Sequence, residues 1–177
     1  MRFDPKQLGK PPGAMSEAEF IDAFGHIYEC SPWVAREAWR RGLGEDGDSL
    51  EGVARALAAT VDAADDDTKL DLIRAHPDLA GRAAVRGELG EASTREQAGA
   101  GIDQCSPAEY ERFQTLNAAY KEKFGFPFVM AVKGSDREAI LSAFEERLEN
   151  NRDTEFQRAI AEIHRIARFR LREMSDD

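Results

Sequence analysis

Phe126-Pro127-Phe128-Val129-Met130-Ala131-Val132 interrupts a chain whose patterning is otherwise helical. It is an apolar run that breaks helical rhythm, and it is the one candidate strand in 177 residues. No other run alternates apolar and polar residues over a useful length, so a strand here would have nothing to pair with. We therefore read it as a buried extended connector in an all-α chain. Backbone that crosses a core outside a sheet must find other hydrogen bonds, and such backbone often lines a site.

Helical signals recur on both sides of the connector. Upstream, Ser106-Pro107-Ala108-Glu109 is the strongest helix start in the chain. Tyr110, Phe113, Asn117, Tyr120 and Phe124 share one face after it, and Gly125 ends it. Downstream, Ser135 with Glu138 boxes a helix faced by Ile140, Leu141, Phe144 and Leu148. A turn over residues 150–154 leads to a last long helix carrying Phe156, Ile160, Ile163, Ala167 and Leu171.

Nearer the N-terminus, Ser16 with Glu19 forms a capping box before Phe20, Ile21, Phe24 and Ile27. Ser31-Pro32 sets an N-cap before a proline at the first helical position of a helix from Trp33 to Arg41. Leu50, Val53, Ala54, Leu57 and Val61 repeat at helical spacing. Asp65-Asp66-Asp67 reads as the start of the next helix, since carboxylates in a first turn suit the dipole. His26 and His164 read as surface residues. Residues 1–15, with Pro5, Pro11, Pro12 and Gly13, read as an extended arm. Residues 16–174 read as a single-domain multi-helix bundle of about seven or eight helices.

Composition excludes several classes of function. The net charge is -10, and no Lys/Arg run offsets it, which argues against nucleic acid as a partner. The two cysteines, Cys30 and Cys105, lack metal-ligand spacing and read as reduced thiols. We expect no resident metal. No stretch approaches a membrane span, and the first residues lack the apolar core of a signal peptide. The expected setting is the cytoplasm.

Polar groups in unexpected places point to a site. In Arg74-Ala75-His76-Pro77-Asp78-Leu79-Ala80-Gly81, Pro77 pushes His76 out of the helical region and removes a donor, so a helix stops there. Histidine has an unperturbed pKa of ~6.5, near neutral, which suits proton transfer. A helix-terminal histidine can equally cap carbonyls or face solvent. Arg170 falls on the apolar stripe of the last helix, where a guanidinium needs a carboxylate, a carbonyl or an anionic ligand. Ser93-x-x-Glu96-Gln97 reads as a capping box or as an anion site at a helix N-terminus. Asn117 on an apolar stripe reads as a hydrogen-bonded core amide.

Taken together these motifs resemble a known family, the decarboxylases of 2-oxo-4-hydroxy-4-carboxy-5-ureidoimidazoline (OHCU). The resemblance runs through Ser31-Pro32-Trp33-Val34-Ala35, His76-Pro77-Asp78-Leu79-Ala80-Gly81 and Ser93-x-x-Glu96-Gln97-Ala98-Gly99. It continues through Leu116-Asn117-x-x-Tyr120, Lys123-Phe124-Gly125-Phe126-Pro127-Phe128, Arg147-Leu148-x-Asn150 and Glu162-Ile163-x-x-Ile166-Ala167-x-x-Arg170-Leu171. After Trp39 the family usually has a proline and an aromatic, whereas Arg41-Gly42-Leu43 follow here.

The resemblance implies a cofactor-independent carboxy-lyase that converts OHCU to (S)-allantoin and CO2, the last step from urate. It implies His76 as acid/base residue, with Glu96 orienting it or binding substrate N–H groups. It further implies substrate contacts at Pro77, Ser93, Thr94, Arg95, Glu96, Gln97, Phe128, Val129, Met130, Ala131, Val132 and Arg170. A homodimer, and association with hydroxyisourate hydrolase and uricase, are the implied assemblies. The competing class is a non-catalytic helical interaction module that keeps the fold.

Overall fold

Residues 2–80 and 91–175 are described in the computed structural model, with Pro5 and residues 91–94 as backbone alone. The glycine- and alanine-rich segment 81–90 lies outside the described residues. Nine α-helices follow one another among the described residues. They are α1 Pro5–Leu8, α2 Glu17–Phe24, α3 Trp33–Arg41, α4 Leu50–Asp62, α5 Asp66–Arg74, α6 Glu91–Gly99, α7 Pro107–Phe124, α8 Arg137–Leu148 and α9 Arg152–Arg172. Among the described residues β-pairing is limited to two isolated bridges, Arg2 with Ser49 and Phe3 with Ser175. The all-α reading holds, and residues 126–132 lie outside any helix or sheet.

Short side chains start the helices where the sequence places them. Ser16 and Glu19 cap α2 reciprocally, the Glu19 N–H donating to Ser16 Oγ and the Ser16 N–H to Glu19 Oε2. Ser106 and Glu109 do the same for α7. Asp65 Oδ1 accepts the Thr68 N–H at 2.7 Å, with Asp66 and Asp67 in the first turn of α5.

Three starts differ from the sequence reading. The cap of α8 is Asp136, which accepts the Ala139 N–H at 2.8 Å, while Ser135 closes the preceding turn onto the Val132 carbonyl. Aspartate and serine cap about equally well, so the geometry of that turn selects between neighbours. At α3 the Ser31 hydroxyl donates to the Glu29 carbonyl, and the start is closed by the Ser31 backbone carbonyl instead. The turn before α9 is shorter than expected, because Asn151 Oδ1 caps the Thr154 N–H at 2.8 Å.

The chain divides into two compact units, Met1–Ala75 with His164–Asp177, and His76–Ile163. In the first, α3 packs on α2 and α4, around buried Phe20, Phe24, Val53, Leu57, Val61, Leu72, Ile73 and Leu171. Segment 2–15 contributes to this core: Phe3 packs edge-on against Phe24 at 5.3 Å and Met15 is buried. His164, expected at the surface, bridges the Tyr28 hydroxyl at 2.8 Å and Asp62 Oδ1 at 3.0 Å. In the second unit α7 packs on α8, and the rings of Phe113, Tyr120, Phe124, Phe126, Phe128 and Phe144 form one aromatic core. Gly125 ends α7 at φ +80°, a left-handed turn that suits glycine and releases the chain into the connector.

Candidate active site

The geometry around His76 begins with the residue that follows it. Pro77 forbids a further helical turn, and His76 sits in a bend with 8% of its surface exposed. The next three residues are bound to one face of α7. Lys121 Nζ lies 2.5 Å from Asp78 Oδ2, Asn117 Nδ2 donates to the Leu79 carbonyl at 2.9 Å, and Gln114 Nε2 donates to the Ala80 carbonyl at 2.7 Å. Positions 114, 117 and 121 stand three and four apart, the spacing of neighbours on a single helix face. Ala80, at φ +53°, donates its N–H to Gln97 Oε1 at 3.1 Å, which brings α6 to the same corner.

Gln97 reaches the loop after His76 through this bond, with its oxygen engaged and its Nε2 end as the donor. It is buried, Glu96 is half-buried and Arg95 is exposed. Among the described residues α6 runs from Glu91 to Gly99, and Ser93 lies within that span. The side chains of Ser93 and Thr94, both singled out in the sequence, lie outside the described residues.

The connector is held by two buried acids and a buried base. Arg147 donates from Nη1 to the Val129 carbonyl at 2.7 Å and from Nε to Glu155 Oε1 at 2.8 Å. Glu155 also accepts the Tyr120 hydroxyl at 2.6 Å and Asn150 Nδ2 at 3.0 Å. Burial, and then the bond to Glu155, push the Tyr120 hydroxyl well above the ordinary tyrosine range. Glu162 Oε2 accepts the Ala131 N–H at 3.2 Å, while its Oε1 holds Arg158. These bonds serve the Val129 carbonyl and the Ala131 amide, two of the connector's backbone groups. The Phe128 ring stacks on Phe144 at 3.7 Å and lies under the Arg147 guanidinium at 4.3 Å, so it belongs to the core. Val129, Ala131 and Val132 are buried, and Met130 is the half-buried member of the run.

In the first unit, Arg170 finds the partner that its place on an apolar stripe demanded. Its Nη2 pairs with Glu29 Oε2 at 2.9 Å and its Nη1 donates to the Ile27 carbonyl at 3.3 Å. The Glu29 carboxylate and the Ile27 carbonyl therefore help fix the direction of the guanidinium. Glu29, Gln114, Lys121 and Glu155 all escaped the sequence reading. The spacing of Gln114, Asn117 and Lys121 was the available signal for two of them; Glu29 and Glu155 carried none, since exposed glutamates are common in such positions.

The model of OHCU decarboxylase matches residues 13–172. The chain belongs to that family. Among relatives of the OHCU decarboxylase family, the chain is similar to the 2-oxo-4-hydroxy-4-carboxy-5-ureidoimidazoline decarboxylase of Halalkalicoccus jeotgali, with 46% identity over 156 residues, 88% of this chain and 85% of that one. It is 43% identical over 158 residues to a uric acid degradation bifunctional protein of Bacillus subtilis, covering 89% of this chain but 30% of that protein. Among solved structures, an (S)-allantoin synthase superposes with a TM-score of 0.73 at 31% identity, over 97% of this chain and 53% of that chain. The chain therefore spans most of the archaeal relative and about half of the allantoin synthase.

Proposed function

We propose that this chain is a carboxy-lyase that converts OHCU to (S)-allantoin and CO2, the last step of urate conversion to allantoin. The observation that carries this reading is the OHCU decarboxylase match over residues 13–172. The buried, proline-fixed imidazole of His76 supports it chemically.

The substrate has a carboxylate on C4 beside a C5=N double bond. When the C4–carboxylate bond breaks, its electron pair flows into that imine and CO2 leaves. The enol-like product is then protonated at C5, on one face, while the C4 hydroxyl gives up its proton to become the carbonyl and the former imine nitrogen gains one, to give (S)-allantoin. No separate electron sink is required by this scheme. His76 is the proton-transfer residue, and Glu96 orients it or binds substrate N–H groups. Gln97, whose oxygen is held by Ala80, presents its Nε2 to a substrate carbonyl. Ser93, Thr94 and Arg95 complete the α6 contacts, and Pro77 stiffens the corner. Arg170, directed by Glu29 and Ile27, pairs with an anionic or carbonyl oxygen. The connector contributes Met130 and its backbone, with Val129, Ala131 and Val132, to exclude water. Phe128 supports it from beneath. A water-poor site disperses the developing charge onto fixed dipoles.

The same reading takes the enzyme as a cytoplasmic homodimer that works beside uricase and hydroxyisourate hydrolase. The Bacillus relative, whose name joins two activities of uric acid degradation in one longer chain, supports the functional association.

The test generates OHCU in situ from urate with uricase and hydroxyisourate hydrolase and follows circular dichroism. Rapid growth of a one-handed allantoin signal, lost in His76→Ala, is the expected result. Slow racemic decay that the protein leaves unchanged would overturn the reading and restore the interaction module.

A further inference from the structure

We propose that Asn117 is a positioning residue for His76, holding the chain beyond the imidazole through the Leu79 carbonyl. The inference rests on the proton-transfer role given to His76 above. The Asn117 carboxamide is 4% exposed, and its Nδ2 donates to the Leu79 carbonyl at 2.9 Å. That bond identifies the two ends of the amide. Its Oδ1 is buried without a hydrogen-bond donor among the described residues.

A buried acceptor without a donor opposes folding. Its neighbours on the buried side of α7 are Phe113, Leu116 and Tyr120, so leucine would suit position 117 better if packing were the only demand. What the asparagine supplies is a donor for a carbonyl that no helix can serve. Pro77 breaks the helix before Leu79, and Ala80 turns left-handed after it. Of the three α7 side chains that reach the corner, Lys121 is exposed and Gln114 is half-buried. Asn117 makes the fully buried link, where water cannot replace a lost bond. Between Leu79 and His76 the backbone passes through Pro77, whose φ is fixed, and Asp78, whose side chain Lys121 holds. A shift at Leu79 is therefore delivered to the imidazole rather than absorbed.

The experiment compares wild type, Asn117→Leu and Asn117→Asp on OHCU generated in situ, resolving kcat and KM and recording thermal midpoints. In Asn117→Leu, kcat falls about tenfold or more, since small misplacements of a catalytic group are expensive. KM stays within about threefold, because the interaction lost is not one made to substrate. The thermal midpoint changes little, since the unsatisfied Oδ1 is removed as the Leu79 carbonyl loses its donor, and the two terms offset. In Asn117→Asp, a protonated carboxyl donates to Leu79 and an ionised one repels it, so kcat relative to wild type rises as pH falls. Wild-type kcat in Asn117→Leu overturns the inference. So does a loss of kcat that tracks a lower thermal midpoint while the Asn117→Asp ratio stays flat with pH. A wild type inactive on OHCU overturns the proposed function and this inference together, whereas an active wild type with unaltered variants overturns this inference alone.

Discussion

At the scale of single residues, the side chains that matter most are polar groups whose burial is answered by a small number of partners. His76 is buried as well, and on the proposed acid/base role removing its imidazole while the corner stays intact should lower kcat by about 10²–10⁴-fold, the usual contribution of a positioned acid/base group. His76→Ala should do this with an unchanged far-ultraviolet dichroism spectrum, which separates loss of chemistry from loss of fold. Arg170 is one such group. Its pair with Glu29 is nearly closed to water, with side chains 4% and 14% exposed. Deleting one partner of such a pair leaves a buried charge behind and costs about 3–5 kcal/mol. Glu29→Ala should therefore lower the urea midpoint by a corresponding amount; an unshifted midpoint would mean that water replaces the carboxylate.

At the scale of elements, the connector and α7 show what a sequence conveys and what it withholds. The non-helical run 126–132 was legible because an apolar stretch without period or partner has few other readings. The capping boxes of α2 and α7 were legible because their chemistry is local. What holds the connector was not, because Arg147, Glu155 and Glu162 lie on helices whose charged residues read as solvent faces. Their inward orientation is set by packing across the unit. The same is true of Gln114 and Lys121, whose partners lie 34 and 43 residues away in the chain. Arg147→Met should destabilise the protein by about 3–5 kcal/mol, because the buried Glu155 carboxyl then keeps only Tyr120 and Asn150, without its cationic partner. Adding Glu155→Gln should recover much of that loss, and chemical denaturation of the single and double variants measures the coupling.

For the molecule as a whole, the helix starts and the buried phenols bound the pH range of stability from opposite sides. Glu19 is pulled to about 2, first by its hydrogen bond to Lys10 and then by the Ser16 amide. Asp65 and Glu109 are lowered by bonds to Thr68 and Ser106. A carboxylate lowered in the folded state contributes stability above its unfolded pKa and loses it as pH falls through the folded one. Stability should thus decline from about pH 4.5 toward pH 2, and Glu19→Gln should flatten that decline. Tyr28 and Tyr120 are displaced the other way, chiefly by burial. A raised phenol contributes stability below its unfolded pKa of ~10 and loses it as pH climbs beyond. Urea midpoints measured across pH should show both limbs, with Tyr120→Phe flattening the alkaline one.

Ala80 gives the corner a property that no contact distance expresses. Its left-handed φ of +53° is one that glycine would adopt without penalty. Glycine, however, visits many basins, and a hinge made of it would let the loop wander. An alanine forced into a narrow basin by Gln97 and Gln114 has few alternatives nearby. The loop behaves as a sprung catch, closed by its neighbours and with little play once closed. Evolution toward greater thermostability has an easy step here in Ala80→Gly, and taking it would loosen the mounting of the imidazole.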